Sequence, residues 1–217
     1  MNPKINENIK SWWNQLPNQL KGTFPTFVHN LNPKAEILFV GFNPAGSLRD
    51  TPKRIEDLTA PKIDKIIEKE KGLIGFWEST EKCYWRYYKV FHTLRRRLNA
   101  ECEYVDLFQM RYSESDKLLK IMQEKGVFLD FHKEHINNFD LIIKEIPNLK
   151  FIVLNNANSA RLIQNYYGSN MEFDSQKGLY KISNPKEIYF YLQGSMQYGR
   201  STVFDQERIE WFFQKIR

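Results

Sequence analysis

Asn43 stands between Phe42 and Pro44, immediately after the apolar run Ile37 to Gly41. A side-chain amide carries both donors and an acceptor, so at the end of a buried strand it is either a turn residue or a group aimed at a ligand. Polar residues follow three further apolar runs in the same way. Gln109-Met110-Arg111 follows Tyr104 to Phe108, Asn155-Asn156 follows Phe151 to Leu154, and Gln193-Gly194-Ser195 follows Ile188 to Leu192. The patterns of other chemistries are missing. The chain has neither a GxxxxGK[ST] phosphate loop nor a GxGxxG fingerprint. Ser195 lies in QGSMQ, without the flanking glycines of a nucleophile elbow. His132 and His135 share a helix face at i, i+3 with no third ligand candidate near them in sequence, and they read as a solvated pair. Cys83, among aromatics in KCYWRYY, reads as a core thiol.

The elements that must position these amides can be read from periodicity. Strands are expected over Glu36 to Val40, Tyr104 to Phe108, Phe151 to Leu154 and Ile188 to Leu192; the third is continuous and apolar, as in a parallel sheet covered on both faces. Between them lie helical stripes. Trp85, Tyr88, Phe91, Leu94 and Leu98 mark one face of a helix over Glu81 to Asn99, which ends in Arg95-Arg96-Arg97 at the negative end of its dipole. Further helices are expected over 62–71, 116–124, 132–146, 156–166 and 205–216. An N-terminal stripe (Ile5, Ile9, Trp12, Trp13, Leu16 and Leu20) is interrupted at Pro17. Alternating strands and helices predict an α/β fold: a three-layer α/β/α sandwich with a four-stranded, mainly parallel central sheet. Residues 1–217 form one domain in this reading, with 1–34 as a helical extension packed on it. Open sheets of this kind bind ligands at the carboxyl ends of their strands, which gathers the four polar segments into one crevice.

Composition narrows the class. The chain has 217 residues and no apolar run near the roughly 20 residues that a membrane span needs. MNPKINENIKSWW lacks the charged-then-apolar order of a signal peptide, and two cysteines cannot supply a disulfide framework or a four-thiolate cluster. A cytoplasmic location is expected. The formal charge is +6 and 15% of residues are aromatic, a combination suited to a polyanion whose bases can be stacked on rings.

With these segments placed, a resemblance emerges. ILFVGFNPAGS resembles the first motif of the uracil-DNA glycosylase superfamily, a glycine, one residue, a polar residue and a proline after the first strand. YFYLQGSMQYGRSTVFDQERIEWF resembles the second motif, an H-P-S-type loop followed by a basic linker and a final helix. Between them, EYVDLFQMR resembles the second strand and FIVLNNANSARLI the third, with its small-residue helix start. The resemblance covers residues 35 to 217 and points to a cluster-free branch.

The resemblance implies a monofunctional glycosylase that extrudes a base and breaks its bond to the sugar through an oxocarbenium-like state. Asn43 would hold the water, and Phe42, Phe76 or Trp77 would stack on the base. Gly41, Pro44, Asp106, Asn155 and Ser195 would border it. Arg111, Met196, Tyr198 and Arg200 would meet the DNA, with Met196 or Tyr198 as a wedge and Arg200 on a phosphate. Two positions depart from the family pattern. Gln193 falls where the family has histidine, and Asp106 where many members have an asparagine that reads uracil. Gln193 can still donate a hydrogen bond, but an ionised Asp106 only accepts, so weak action on uracil is expected. A monomer acting on DNA without metal, cofactor or membrane follows. Two alternatives stay open: a nucleic-acid-binding homologue that has lost catalysis, and an enzyme for a small nucleobase-containing molecule.

Overall fold

The computed structural model describes residues 3–15, 24–25, 28, 30–42, 89–111, 120, 123–124, 128–192 and 202–217, without the side chains of 12–15, 24–25, 110–111 and 128–132. The chain divides into two compact units. One comprises Met1–Leu31, Asn43–Gly75 and Asp106–Ile142; the other comprises Asn32–Phe42, Phe76–Val105 and Ile143–Arg217.

The second unit is organised by a sheet. Among the described residues its strands are β2 (Ile37–Gly41), β3 (Cys102–Asp106), β5 (Phe151–Leu154), β6 (Glu172–Asp174), β7 (Leu179–Ile182) and β8 (Ile188–Leu192), in the spatial order β3-β2-β5-β8-β7-β6. β2, β5 and β8 run parallel, with Val40 opposite Leu154 and Leu154 opposite Leu192. All residues of β2 and β5 are buried, which explains their unbroken apolar sequence. At the other end of the strands, the Glu36 N–H donates to Glu101 O at 2.8 Å, so β2 and β3 start side by side.

Side chains alternate between the two faces. Ile37, Phe39, Phe151 and Val153 point to one face and pack in a single cluster with α2 (Lys89–Leu98) and α5 (Val203–Ile216), through Phe91, Leu94, Leu98, Ile209 and Phe213. Phe91 lies 4.8 Å from Phe39, ring to ring, and Phe213 lies 6.1 Å from Phe151. On the opposite face Phe190 meets Tyr167 of α4 (Ala157–Tyr167) at 5.8 Å.

The sheet corrects the expectation of four mainly parallel strands: among the described residues it has six and is mixed. The four anticipated segments are present, and β7 pairs antiparallel with both β8 and β6. This hairpin closes through Asp174, whose carboxylate accepts from the Gln176 and Lys177 N–H groups, and through Gly178 at φ +70°. With Glu172 and Phe173 exposed and only three residues in the strand, β6 offers no apolar alternation to read. The second anticipated strand is also shifted, from Tyr104 to Phe108 back to Cys102–Asp106. Leu107 and Phe108 are buried beyond its end, so the apolar run outlasts the strand.

In the first unit, α1 (Pro3–Gln15) buries Ile5 and Ile9. Asn6 of this helix donates to Val28 O at 2.9 Å and accepts from Val28 N at 2.8 Å, as a strand partner would. β1 (Phe24–Pro25) and β4 (Met110–Arg111) pair antiparallel. α3 (Phe128–Glu145) contributes His135, which is fully buried and therefore not the solvated residue its spacing suggested. Its Nδ1 lies 2.9 Å from Gln109 Oε1, and Gln109 Nε2 donates to the carbonyls of Asp106 and Leu107. Those carbonyls fix which end of the Gln109 amide faces the ring. His132 lies among the residues whose side chains are not described.

Candidate functional site

Strand order marks out a candidate site. Among the described residues, the chain leaves β2 and next enters the sheet as β3 on one side; from β3 it returns as β5 on the other side of β2. Successive connections thus run in opposite directions from β2, and the carboxyl ends of β2 and β5 form a topological switch point, where open α/β sheets take their ligands. Gly41 ends β2, and the register places it beside Asn155, which follows β5. The Asn155 N–H continues the ladder by donating to Val40 O at 3.0 Å.

Two consecutive asparagines here differ in state. Asn156 caps α4: its Oδ1 accepts from Asn158 N at 2.8 Å and Ser159 N at 3.4 Å. The helix end is thereby supplied from within the chain and leaves little donor capacity for an anion. Asn155 is 2% exposed, and neither its Oδ1 nor its Nδ2 has a hydrogen-bond partner among the described residues. Next to it, the fully buried Ser159 Oγ donates to Gly41 O at 3.0 Å, tying the first turn of α4 to the end of β2. Glycine at position 41 leaves the space beside Asn155 free of a side chain of its own.

Asn155 and Ser159, the described polar side chains at the β2–β5 switch point, are neutral. An amide and a hydroxyl can orient a ligand, donate and accept, but neither exchanges a proton near neutral pH. Tyr191, near the end of β8, is half-buried; burial raises its phenol above the usual tyrosine range, against the opposing pull of the Arg208 guanidinium. Among the described residues, no group of three or more His, Cys, Asp or Glu side chains could hold a metal ion. No described helix is long and apolar enough to cross a membrane.

The candidate residues read from sequence are distributed as follows. Gly41 and Asn155 are adjacent at the switch point, and Phe42, 4% exposed, follows directly with its ring enclosed. Asp106 is the last residue of β3 and is partly buried. Gln109, expected in the crevice, is 2% exposed and has both ends of its amide engaged internally, so it faces no ligand. Arg111 lies in β4, opposite Phe24, and its side chain is outside the description. Asn43, Pro44, Phe76, Trp77, Gln193, Ser195, Met196, Tyr198 and Arg200 lie outside the described residues. Sequence reasoning passed over Ser159 and the capping role of Asn156. Their signal was the Asn-x-x-Ser spacing directly after an apolar strand, a helix-start pattern. The chain matches no protein-family model and no curated protein sequence.

Proposed function

We propose that this protein recognises a base in DNA and, in the manner of the uracil-DNA glycosylase superfamily it resembles, hydrolyses the N-glycosidic bond of a damaged or deaminated base while acting weakly on uracil. The observation that carries the reading is the switch point. The segment beginning at Asn43 departs from β2, the segment beginning at Gln193 departs from β8, and both strands adjoin β5, which ends at Asn155. Amide-rich segments thus begin at neighbouring strand ends, where this fold class binds ligands.

In this reading the protein is a monomeric, cytoplasmic three-layer α/β/α sandwich that needs no metal or cofactor. Asn43 holds the attacking water. The water oxygen bonds to C1′, the C1′–N bond breaks with its electron pair leaving on the base, and the proton lost by the water passes through solvent to the released base. Gln193 donates toward the charge developing on that base; such a donor is worth about 2.7–4 kcal/mol in the transition state when well placed. Phe42, Phe76 or Trp77 supplies the stacking surface, while Pro44, Asp106 and Ser195 complete the border of the base. Arg111 and Arg200 engage the backbone, and Met196 or Tyr198 enters the base stack.

The test is strand scission after alkali on duplexes and single strands carrying uracil, hypoxanthine, xanthine or a mismatch. Cleavage at a non-uracil base with little at uracil is expected. Binding without release at any of these bases would identify a recognition protein that lacks catalysis, and absence of duplex binding would overturn the DNA reading.

A further inference from the structure

Asn155 is the most unusual polar residue of the sheet. A buried amide normally has partners for both ends, and leaving them unmade destabilises the fold. Here the oxygen and the nitrogen are both without a partner among the described residues, in a residue 2% exposed. Its neighbours are already committed: Ser159 to Gly41 O, and Asn156 to the start of α4. The position is the carboxyl end of a central parallel strand at the switch point, with a glycine alongside.

We infer that the Asn155 amide is the specificity-determining reader of the ligand, and that it accepts a planar heterocycle presenting one hydrogen-bond donor and one acceptor side by side. This inference rests on the base-recognition reading and adds to it the residue and the edge that is read. A free amide can form two parallel hydrogen bonds to such an edge, acting once as donor and once as acceptor. Edges of this type occur as lactams, in uracil and hypoxanthine, and as amino-imines, in cytosine and adenine. Rotating the amide by half a turn exchanges the two patterns. An edge that has lost its N–H by methylation satisfies only one end of the amide. Asn155 is therefore kept at the expense of stability, and an apolar residue of the same size should fold better and bind worse.

Thermal melting of the wild type, N155L and N155D with millimolar uracil, hypoxanthine, cytosine, adenine and 1,3-dimethyluracil tests this. At least one of the four unmethylated bases should raise the wild-type Tm, with the responding set distinguishing lactam from amino-imine recognition; 1,3-dimethyluracil, which has no N–H left, should not. N155L should melt about 2–4 °C higher without ligand, the shift expected from relieving roughly 1 kcal/mol of strain in a chain of this size, and should lose the ligand response. N155D keeps the shape but removes the donor and should also lose the response, which covers the case in which N155L fails to fold. No shift with any base, a shift retained in either variant, or an equal shift with 1,3-dimethyluracil would overturn the inference. Duplex binding separates the two levels. If bases shift the Tm but no duplex binds, the DNA reading fails and the amide assignment stands. If N155D binds and processes duplex like the wild type, the amide assignment fails and the DNA reading stands.

Discussion

Ser159 donates to Gly41 O across 3.0 Å within the buried interior, and this single contact joins a helix start to a strand end. Replacing Ser159 by Ala should cost about 0.5–1.5 kcal/mol, the usual net worth of such a bond, as read from urea unfolding midpoints. A loss near zero would mean that another donor takes over Gly41 O. The strand-end positions of Gly41, Phe42 and Asn155 were legible in sequence because each closes or directly follows an apolar run. Ser159 was not, since a serine inside a helix start looks like ordinary capping chemistry until its partner strand is known. Gln109 was misjudged for the same reason in reverse: its position after an apolar run suggested a ligand, yet its amide is held by Asp106 O, Leu107 O and His135. Chemistry at Gln193 and Asp106 gives a second prediction at this scale. Q193H combined with D106N should raise uracil excision, since histidine restores a stronger donor and asparagine a donor–acceptor pair. Efficient uracil excision by the unmodified protein would contradict the roles assigned to both positions.

α5 shows how elements are secured at their ends. Thr202 Oγ1 accepts from the Asp205 N–H at 3.2 Å, and Asp205 Oδ2 accepts from the Thr202 N–H at 2.8 Å, a reciprocal capping box. Hydrogen bonds from Thr202 hold the Asp205 carboxyl below the usual aspartate range. Its folded pKa is thus depressed relative to the unfolded chain. The contribution is present in full above the ordinary aspartate value, about 3.9, and is lost as pH falls through the depressed value. T202A should destabilise the protein by about 1 kcal/mol at neutral pH, and the difference from wild type should shrink in acid. A difference constant down to acid pH would mean that the box contributes through Thr202 alone. In the core of the same helix, F213A removes the ring stacked on Phe151 and should cost about 3–5 kcal/mol in urea unfolding. The parallel strands β2, β5 and β8 were legible because each is long enough and apolar enough to declare burial on both faces. β6 and β7 were not, because a short hairpin is specified by its Asp174-to-Gly178 turn and by backbone pairing to β8, which act through hydrogen bonds and backbone angles rather than through side-chain alternation.

At the scale of the whole molecule, the formal charge of +6 sets the terms of encounter with a polyanion. If DNA is the partner, duplex affinity should fall steeply with salt, and R200A should reduce the slope of log affinity against log salt by about one. Binding indifferent to salt would point to a small nucleobase-containing molecule instead. The class of fold was legible at this scale from the alternation of strand and helix, and the carboxyl-end rule supplied the candidate location of the site. The strand count was not, since it depended on the hairpin. The most direct measurement follows the backbone amide resonances of Gly41, Phe42, Asn155 and Ser159 while labelled protein is titrated with a duplex carrying the base that gives scission or, failing scission, the tightest binding. The account predicts that these four amides shift together and first, and that they remain unperturbed by an undamaged duplex at the same concentration. Saturable binding that leaves all four unchanged while moving resonances elsewhere would place recognition away from the β2–β5 switch point and contradict it.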